Sequence, residues 1–375
     1  MKIWIWLILL LAVYAQPEKK PVAETLTMDV WEPYAPDWAV QEFKNIIKKK
    51  YKKNIEVVVK YVYSPNEFYD RVRADETDII SPSHNLIRDD RFNFIGKQLV
   101  IPIDKKIVRN IRGVEPRFLK NEAVLEKKVL MGVPFATGSY SLLYKKAHFK
   151  HPPDSWKVLW DPRYRGRYAI SKDFYESNIY ITALAMGLPK KTIADIDKLN
   201  TEVFKHQLMT LLRHANYWQG VPHDKDVTRS ILTTAWGLSH SVHDDKNKEW
   251  AFAYPKEGIT LWTDYLLVTK AVKRSAFAET LAMEWINYSL SPSFQRRLTV
   301  DQLKCYSAVP EAYVEGRRLD PKEKEFLFQN AVYWPVLSER NRNGLKFMYE
   351  QAEERVTSMD KKAEASPDVK ELEQK

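Results

Sequence analysis

The chain has 375 residues, 45% of them hydrophobic, which is enough to bury one large core or two medium ones. Its formal net charge is +10, but the basic residues are dispersed, and with only 11 glycines a Gly-rich phosphate loop is not expected. Cys305 is the sole cysteine, so an intramolecular disulfide and a cysteine-based zinc site are both excluded.

Taken in chain order, Lys2 followed by the short apolar run Ile3 to Val13 reads as an export signal. Val13-Tyr14-Ala15 offers small-residue cleavage, so residues 1–15 are a signal peptide and Gln16 opens the mature chain. The alternative is an uncleaved N-terminal anchor. No cysteine follows the run, so a lipid-modified N-terminus is not expected. A near-cysteine-free chain behind a signal fits the periplasm. It also argues against nucleic acid as a partner. The densest basic run, Lys48 to Lys53, ends a predicted helix, where cations complement the helix dipole. No later stretch reaches 18 apolar residues.

From Leu26 a β/α alternation begins. Thr25 to Val30 is strand-like, and Trp38 to Lys50 is helical, with Val40, Phe43, Ile46 and Ile47 on one face. Ile55 to Val62 is a second strand. Asn66 to Arg73 is a helix opened by Ser64-Pro65, and Asp78-Ile79-Ile80 is a short buried strand. Ser81-Pro82-Ser83 then turns at the carboxyl end of that strand, where open α/β sheets place ligands. A second alternation predicts strands at Ser139 to Tyr144, Tyr168 to Ile170, Phe252 to Pro255 and Trp262 to Thr269. Helices are predicted at Ser155 to Trp160, Glu176 to Met186, Asp195 to Arg213, Val227 to Thr233 and Ser275 to Leu290. The rhythm predicts a mainly parallel sheet covered by helices. Residues 359–375 are charged, contain proline and read as a flexible tail.

Four segments, in order, resemble the periplasmic polyamine-binding proteins of ABC importers, the spermidine- and putrescine-binding type. They are Trp31-Glu32-Pro33-Tyr34; Thr77-Asp78-Ile79-Ile80-Ser81-Pro82-Ser83; Ser155-Trp156 with Leu159-Trp160-Asp161-Pro162-Arg163-Tyr164-Arg165-Gly166; and Tyr254-Pro255-Lys256-Glu257-Gly258 with Leu261-Trp262-Thr263-Asp264. The resemblance runs over about residues 25–350. It implies an α/β, two-lobed periplasmic binding protein fold with a hinge and an inter-lobe cleft that closes on its ligand. By that analogy lobe one takes 24–135 and 261–308, and lobe two takes 136–260 and 309–358.

A polyamine is an apolar chain with ammonium groups. Each buried ammonium needs acceptors, and the methylenes need apolar walls that Trp and Tyr faces also supply. Asp173 and Glu176 are spaced three apart at a predicted helix start, which fits a capping box locally and a ligand-amine contact by resemblance. Trp262 and Asp264 share a strand face, so a surface pair and a ligand contact are both open. The resemblance also brings in Trp31, Glu32, Tyr34, Ser83, Trp236 and Tyr306 as ligand-binding positions. It departs at His84-Asn85, where the family often has an aromatic, and at Pro335 after Trp334.

The expected function is therefore capture of a small organic cation, a polyamine, by a monomeric periplasmic protein that hands it to an inner-membrane ABC permease. No cofactor or metal is implied. The alternatives are another solute in the same fold (a different cation, a sugar or an amino-acid derivative), a sensory role, or an exported enzyme. His240 and His243 beside Asp244 and Asp245 read as a solvated loop rather than a metal site. No nucleophile elbow or zinc-protease motif accompanies the carboxylates, so no enzyme is expected.

Overall fold

The computed structural model describes residues 24–220, 222–236, 249–303, 305–313, 326 and 328–364. The expected signal peptide, residues 1–15, and the His240–Asp245 loop lie outside them.

Local patterns place most elements where the sequence puts them. The first strand is Glu24–Trp31, paired in parallel with Ile55–Val62 on one side and Ile79–Ile80 on the other. The helix Asp37–Tyr51 buries Ala39, Val40, Phe43 and Ile47, whereas Ile46 is exposed. Ser64 and Glu67 form a reciprocal capping box at the start of Pro65–Arg73.

The sheet differs from expectation. Among the described residues it is a mixed eleven-stranded sheet rather than a mainly parallel one, with Leu125–Glu126 and Val129–Leu130 paired apart from it. Two long strands, Gly132–Lys145 and Thr260–Thr269, lie antiparallel to each other at its centre. They run antiparallel to Ile79–Ile80, Leu232–Trp236 and Trp250–Ala253, while the flanks keep parallel pairing. Two further readings are corrected. The predicted helix over 195–213 is two helices, Ile196–Leu199 and Glu202–Arg213, because Thr201 leaves the helical path and its hydroxyl accepts the N–H of Phe204. The predicted helix over 227–233 gives way to one turn, Asp224–Val227, and a buried strand, Leu232–Trp236, where β-branched Thr233 and Thr234 sit against Leu143 and Leu142. The final helix is Glu339–Glu364.

The buried apolar side chains form two separate cores, as befits a two-lobed binding-protein fold. One draws on residues 26–136 and 265–309, the other on residues 140–261 and 337–352. Both central strands pass from one core into the other. Val133, Phe135 and Ala136 belong to the first, and Tyr140, Leu142 and Leu143 to the second. Likewise Leu261 is in the second core, and Tyr265 to Val268 are in the first.

Between the cores the crossing segments carry a polar band. Thr137 and Thr263 share a hydroxyl hydrogen bond of 3.0 Å, and Ser139 bonds Ser141 at 2.6 Å. Gly138 is paired with Trp262, and a Cβ at Gly138 would stand 2.3 Å from the indole ring. Glycine therefore makes room for the indole to lie across its neighbour strand. Gly138→Ala should displace Trp262 and destabilise the chain by about 1–3 kcal/mol. A shifted tryptophan emission and a lower urea midpoint would show it; an unchanged spectrum and midpoint would refute the contact.

Candidate ligand-binding site

The two strands that leave one core for the other bring the expected residues to the crossing. Asp264 ends the polar stretch of Thr260–Thr269, beside a register shift between Asp264 and Tyr265. It is only 4% exposed. Tyr34, brought in by the turn after the first strand, donates its hydroxyl to Oδ2 at 2.5 Å, and Ser83 donates its hydroxyl to Oδ1. Its hydrogen-bond partners among the described residues are thus hydroxyls. Burial pushes the carboxyl up to about 7 although both hydroxyls favour the ionised form. Trp262 is half-buried one residue pair away, over Gly138. Trp31 meets Phe68 edge-on at 4.8 Å, and its N–H is held by Ser81 at 2.9 Å.

Other expected residues find different partners. Glu32 is exposed and accepts the Tyr63 hydroxyl at 2.7 Å. Tyr306 donates to Glu115 and pairs its backbone with Thr137. On the second lobe, Asp173 precedes the helix Tyr175–Ala185, is exposed, and accepts the Gly220 N–H at 2.6 Å. The helix takes Phe174 as its N-cap, so the capping box does not form. Glu176 is half-buried, and burial raises its pKa against the opposing effects of its own N–H, the Tyr175 hydroxyl and the nearby Arg91. Trp236 ends its strand within an aromatic wall, 5.0 Å from Tyr140, 4.9 Å from Phe174 and 5.7 Å from Trp334. Tyr34, Ser83 and Asp264 are thus in direct contact, whereas Glu32, Asp173, Glu176 and Tyr306 each bond elsewhere.

Three residues, two at the crossing and one beside Glu176, are not among the ligand-binding positions expected from sequence. Cys305 sits close enough to Asp264 that the carboxylate, after burial, helps push the thiol up to about 12. Arg91 of the first lobe is near enough for its charge to oppose the rise in the pKa of Glu176. His84, at a position where the resemblance predicted an aromatic, is 6% exposed, with Nδ1 accepting the Thr263 N–H at 3.3 Å and Nε2–H donating to the Trp334 carbonyl at 2.9 Å. Both ring nitrogens are used by the neutral tautomer, and burial lowers its pKa to about 4. The usable signal is the departure itself: a histidine, with two ring nitrogens, where the resemblance implies a Phe, Tyr or Trp.

Residues 75–330 match the family described as bacterial extracellular solute-binding protein, and the chain belongs to it. It is 21% identical over 307 residues, 80% of this chain and 78% of the relative, to the spermidine/putrescine-binding periplasmic protein 1 of Haemophilus influenzae. Among solved structures it is similar to the spermidine/putrescine ABC transporter substrate-binding protein PotD of Streptococcus pneumoniae, at TM-score 0.72 and 16% identity, covering 89% of this chain and all of that one. It is likewise similar to a putative spermidine/putrescine ABC transporter from Listeria monocytogenes, at TM-score 0.70 and 18% identity, covering 88% and 99%. Proteins of this family bind small solutes and work with a membrane permease rather than catalysing reactions. Among the described residues no helix is long and apolar enough to cross a membrane, and no group of three or more His, Cys, Asp or Glu side chains is arranged to hold a metal.

The Asp264 environment makes a stability prediction. A carboxyl whose folded pKa is raised from 3.8 to about 7 contributes stability in full below about pH 4, and loses it as pH rises through 7. His84, lowered from 6.5 to about 4, has the opposite sign: its contribution is full above about pH 6.5 and is lost as pH falls to 4. In Asp264→Asn the amide oxygen still accepts from one hydroxyl and the NH2 donates to the other. The variant should therefore gain on wild type by about 1.4 kcal/mol per pH unit between pH 4 and 7. Urea unfolding of both proteins, without added solute, measures that difference; a difference independent of pH would overturn the assignment.

Proposed function

We propose that this protein captures a small organic cation of the polyamine type, such as putrescine or spermidine, outside the cytoplasmic membrane and presents it to the permease of an ABC importer. The observation that carries the reading is Asp264. A carboxylate this buried, hydrogen-bonded only to hydroxyls among the described residues, is held at a cost of about 4 kcal/mol at neutral pH, given the size of its shift. An ammonium at this position offsets that cost with a charge-assisted hydrogen bond. The Tyr34 ring beside it, and the Trp262 ring two positions back on the same strand, suit methylenes and cations alike. The names of the relatives support the same class of solute.

A second reading has its own observation. Glu32, Asp173 and Glu176 each have partners within the protein, which leaves Asp264 as the buried acid facing hydroxyls alone. That arrangement suits a solute with one cationic end, such as a monoamine or an amino-acid derivative. Function in either case comes from closure: a solute bridging the lobes favours the closed form, which the permease reads.

Calorimetry with putrescine, spermidine and spermine, a monoamine and a neutral alcohol distinguishes the readings. Cations should bind and the alcohol should not. Asp264→Asn should weaken binding by about 1–3 kcal/mol. Below pH 7 the free carboxyl is protonated, so cation binding should release a proton and weaken as the solution is acidified. Equal affinity for amine and alcohol, or an Asn variant that binds like wild type, would sink the cation reading. A monoamine that matches putrescine would favour the one-charge solute.

A further inference from the structure

A charge cluster away from the crossing strands joins the two lobes by side chains. Asp89 and Asp90 follow the turn His84–Ile87, whose Leu86 and Ile87 belong to the first core. Arg342 lies in the first turn of Glu339–Glu364, whose Leu345, Met348, Tyr349 and Ala352 belong to the second. Arg342 Nη1 stands 3.3 and 3.4 Å from the two carboxylate oxygens of Asp89 and 3.0 Å from Asp90 Oδ1. Arg91 grips Asp89 from its own lobe through Nε at 2.8 Å and Nη2 at 2.9 Å. The Asp89 side chain is 3% exposed and that of Arg342 11%.

We infer that Arg342 with Asp89 and Asp90 is an inter-lobe latch that favours the closed arrangement before solute arrives, which makes Arg342 a positioning residue for binding. An exposed pair would contribute little, but this one is mostly dry and shared among three groups. Its wiring also makes it reversible. When the lobes part, Asp89 stays paired with Arg91, so opening strands no buried charge on the first lobe. Arg342 loses two carboxylates and returns to water. Closure on the solute then starts from a population already shifted toward the closed form, and affinity rises by the same factor. The latch acts on the lobe equilibrium and does not depend on which solute the site takes.

The test needs no solute. Arg342→Gln and Asp90→Asn are compared with wild type by small-angle X-ray scattering and by the rate at which a maleimide labels Cys305, the chain's sole cysteine and a neighbour of Asp264 and Tyr34 at the crossing. Both variants should show a larger radius of gyration. Arg342→Gln should label about tenfold faster, which corresponds to about 1.4 kcal/mol in the lobe equilibrium. Arg342→Lys should recover part of the difference, and 1 M salt should speed labelling of wild type but not of Arg342→Gln. Variants with native circular dichroism whose scattering and labelling match wild type would overturn the latch. Should Arg342→Gln fail to fold, Asp90→Asn decides, since that side chain is 53% exposed and its loss leaves the core intact.

Discussion

A single carboxylate placed where two cores meet organises this molecule. Asp264 lies on a strand that must leave one lobe and enter the other, and neither core can receive it. Water reaches it barely, and its hydrogen-bond partners are hydroxyls. Packing alone would favour a neutral residue at that point, because a desolvated carboxylate raises the free energy of the folded chain. Such a locally unfavourable choice, surrounded by otherwise consistent packing, is the pattern expected of a binding position. The polar band of Thr137, Ser139, Ser141 and Thr263 follows from the same geometry, since the crossing strands have no apolar layer to enter there.

Most of the fold was legible in the residues. Alternation and caps placed the first strand, the first two helices and the long helix Ala276–Ser289 to within a residue or two. Strand direction was not legible, because period-two alternation reads the same forwards and backwards. The mixed sheet arises from two strands that cross between lobes, which is a property of the whole chain. The split at Thr201 leaves no mark in the apolar spacing, since Ile196, Leu199, Phe204, Leu208 and Leu211 continue the helical period across it. The hydroxyl at the break was the local signal. At Thr233-Thr234 the β-branched pair favours the observed strand over the expected short helix.

The chemistry of the site was legible in type more than in arrangement. Asp264 with Tyr34 and Ser83 came together from three distant stretches. Asp173 and Glu176 do not form the capping box that their spacing allows, since the box needs Asp173 at the N-cap and Phe174 takes that place. Asp173 lies before the N-cap and turns to Gly220, 47 positions away. The partner of Glu32, Tyr63, is likewise set by tertiary folding, whereas Glu176 bonds locally, to its own N–H and to Tyr175, and feels Arg91 only through its charge. Acidic side chains in sequence say that charge is available; which charges remain unpaired depends on the cations and donors the fold brings to them.

His84 shows how closely recognition and lobe geometry are joined. Its neighbour Ser83 binds Asp264, while its own ring accepts the next backbone N–H of the same strand, that of Thr263, and donates to Trp334 beyond the crossing. An aromatic ring without nitrogens would pack there but could not link the two strands. A protonated imidazole could not either, because Nδ1–H would face the Thr263 N–H. The neutral histidine therefore ties the floor of the site to the segment that carries Trp334 into the second lobe. The buried carboxyl of Asp264 and the strand-to-strand link through His84 thus share one stretch of backbone. Under the proposed function, a solute that ionises Asp264 would act on that same stretch, with no longer pathway required.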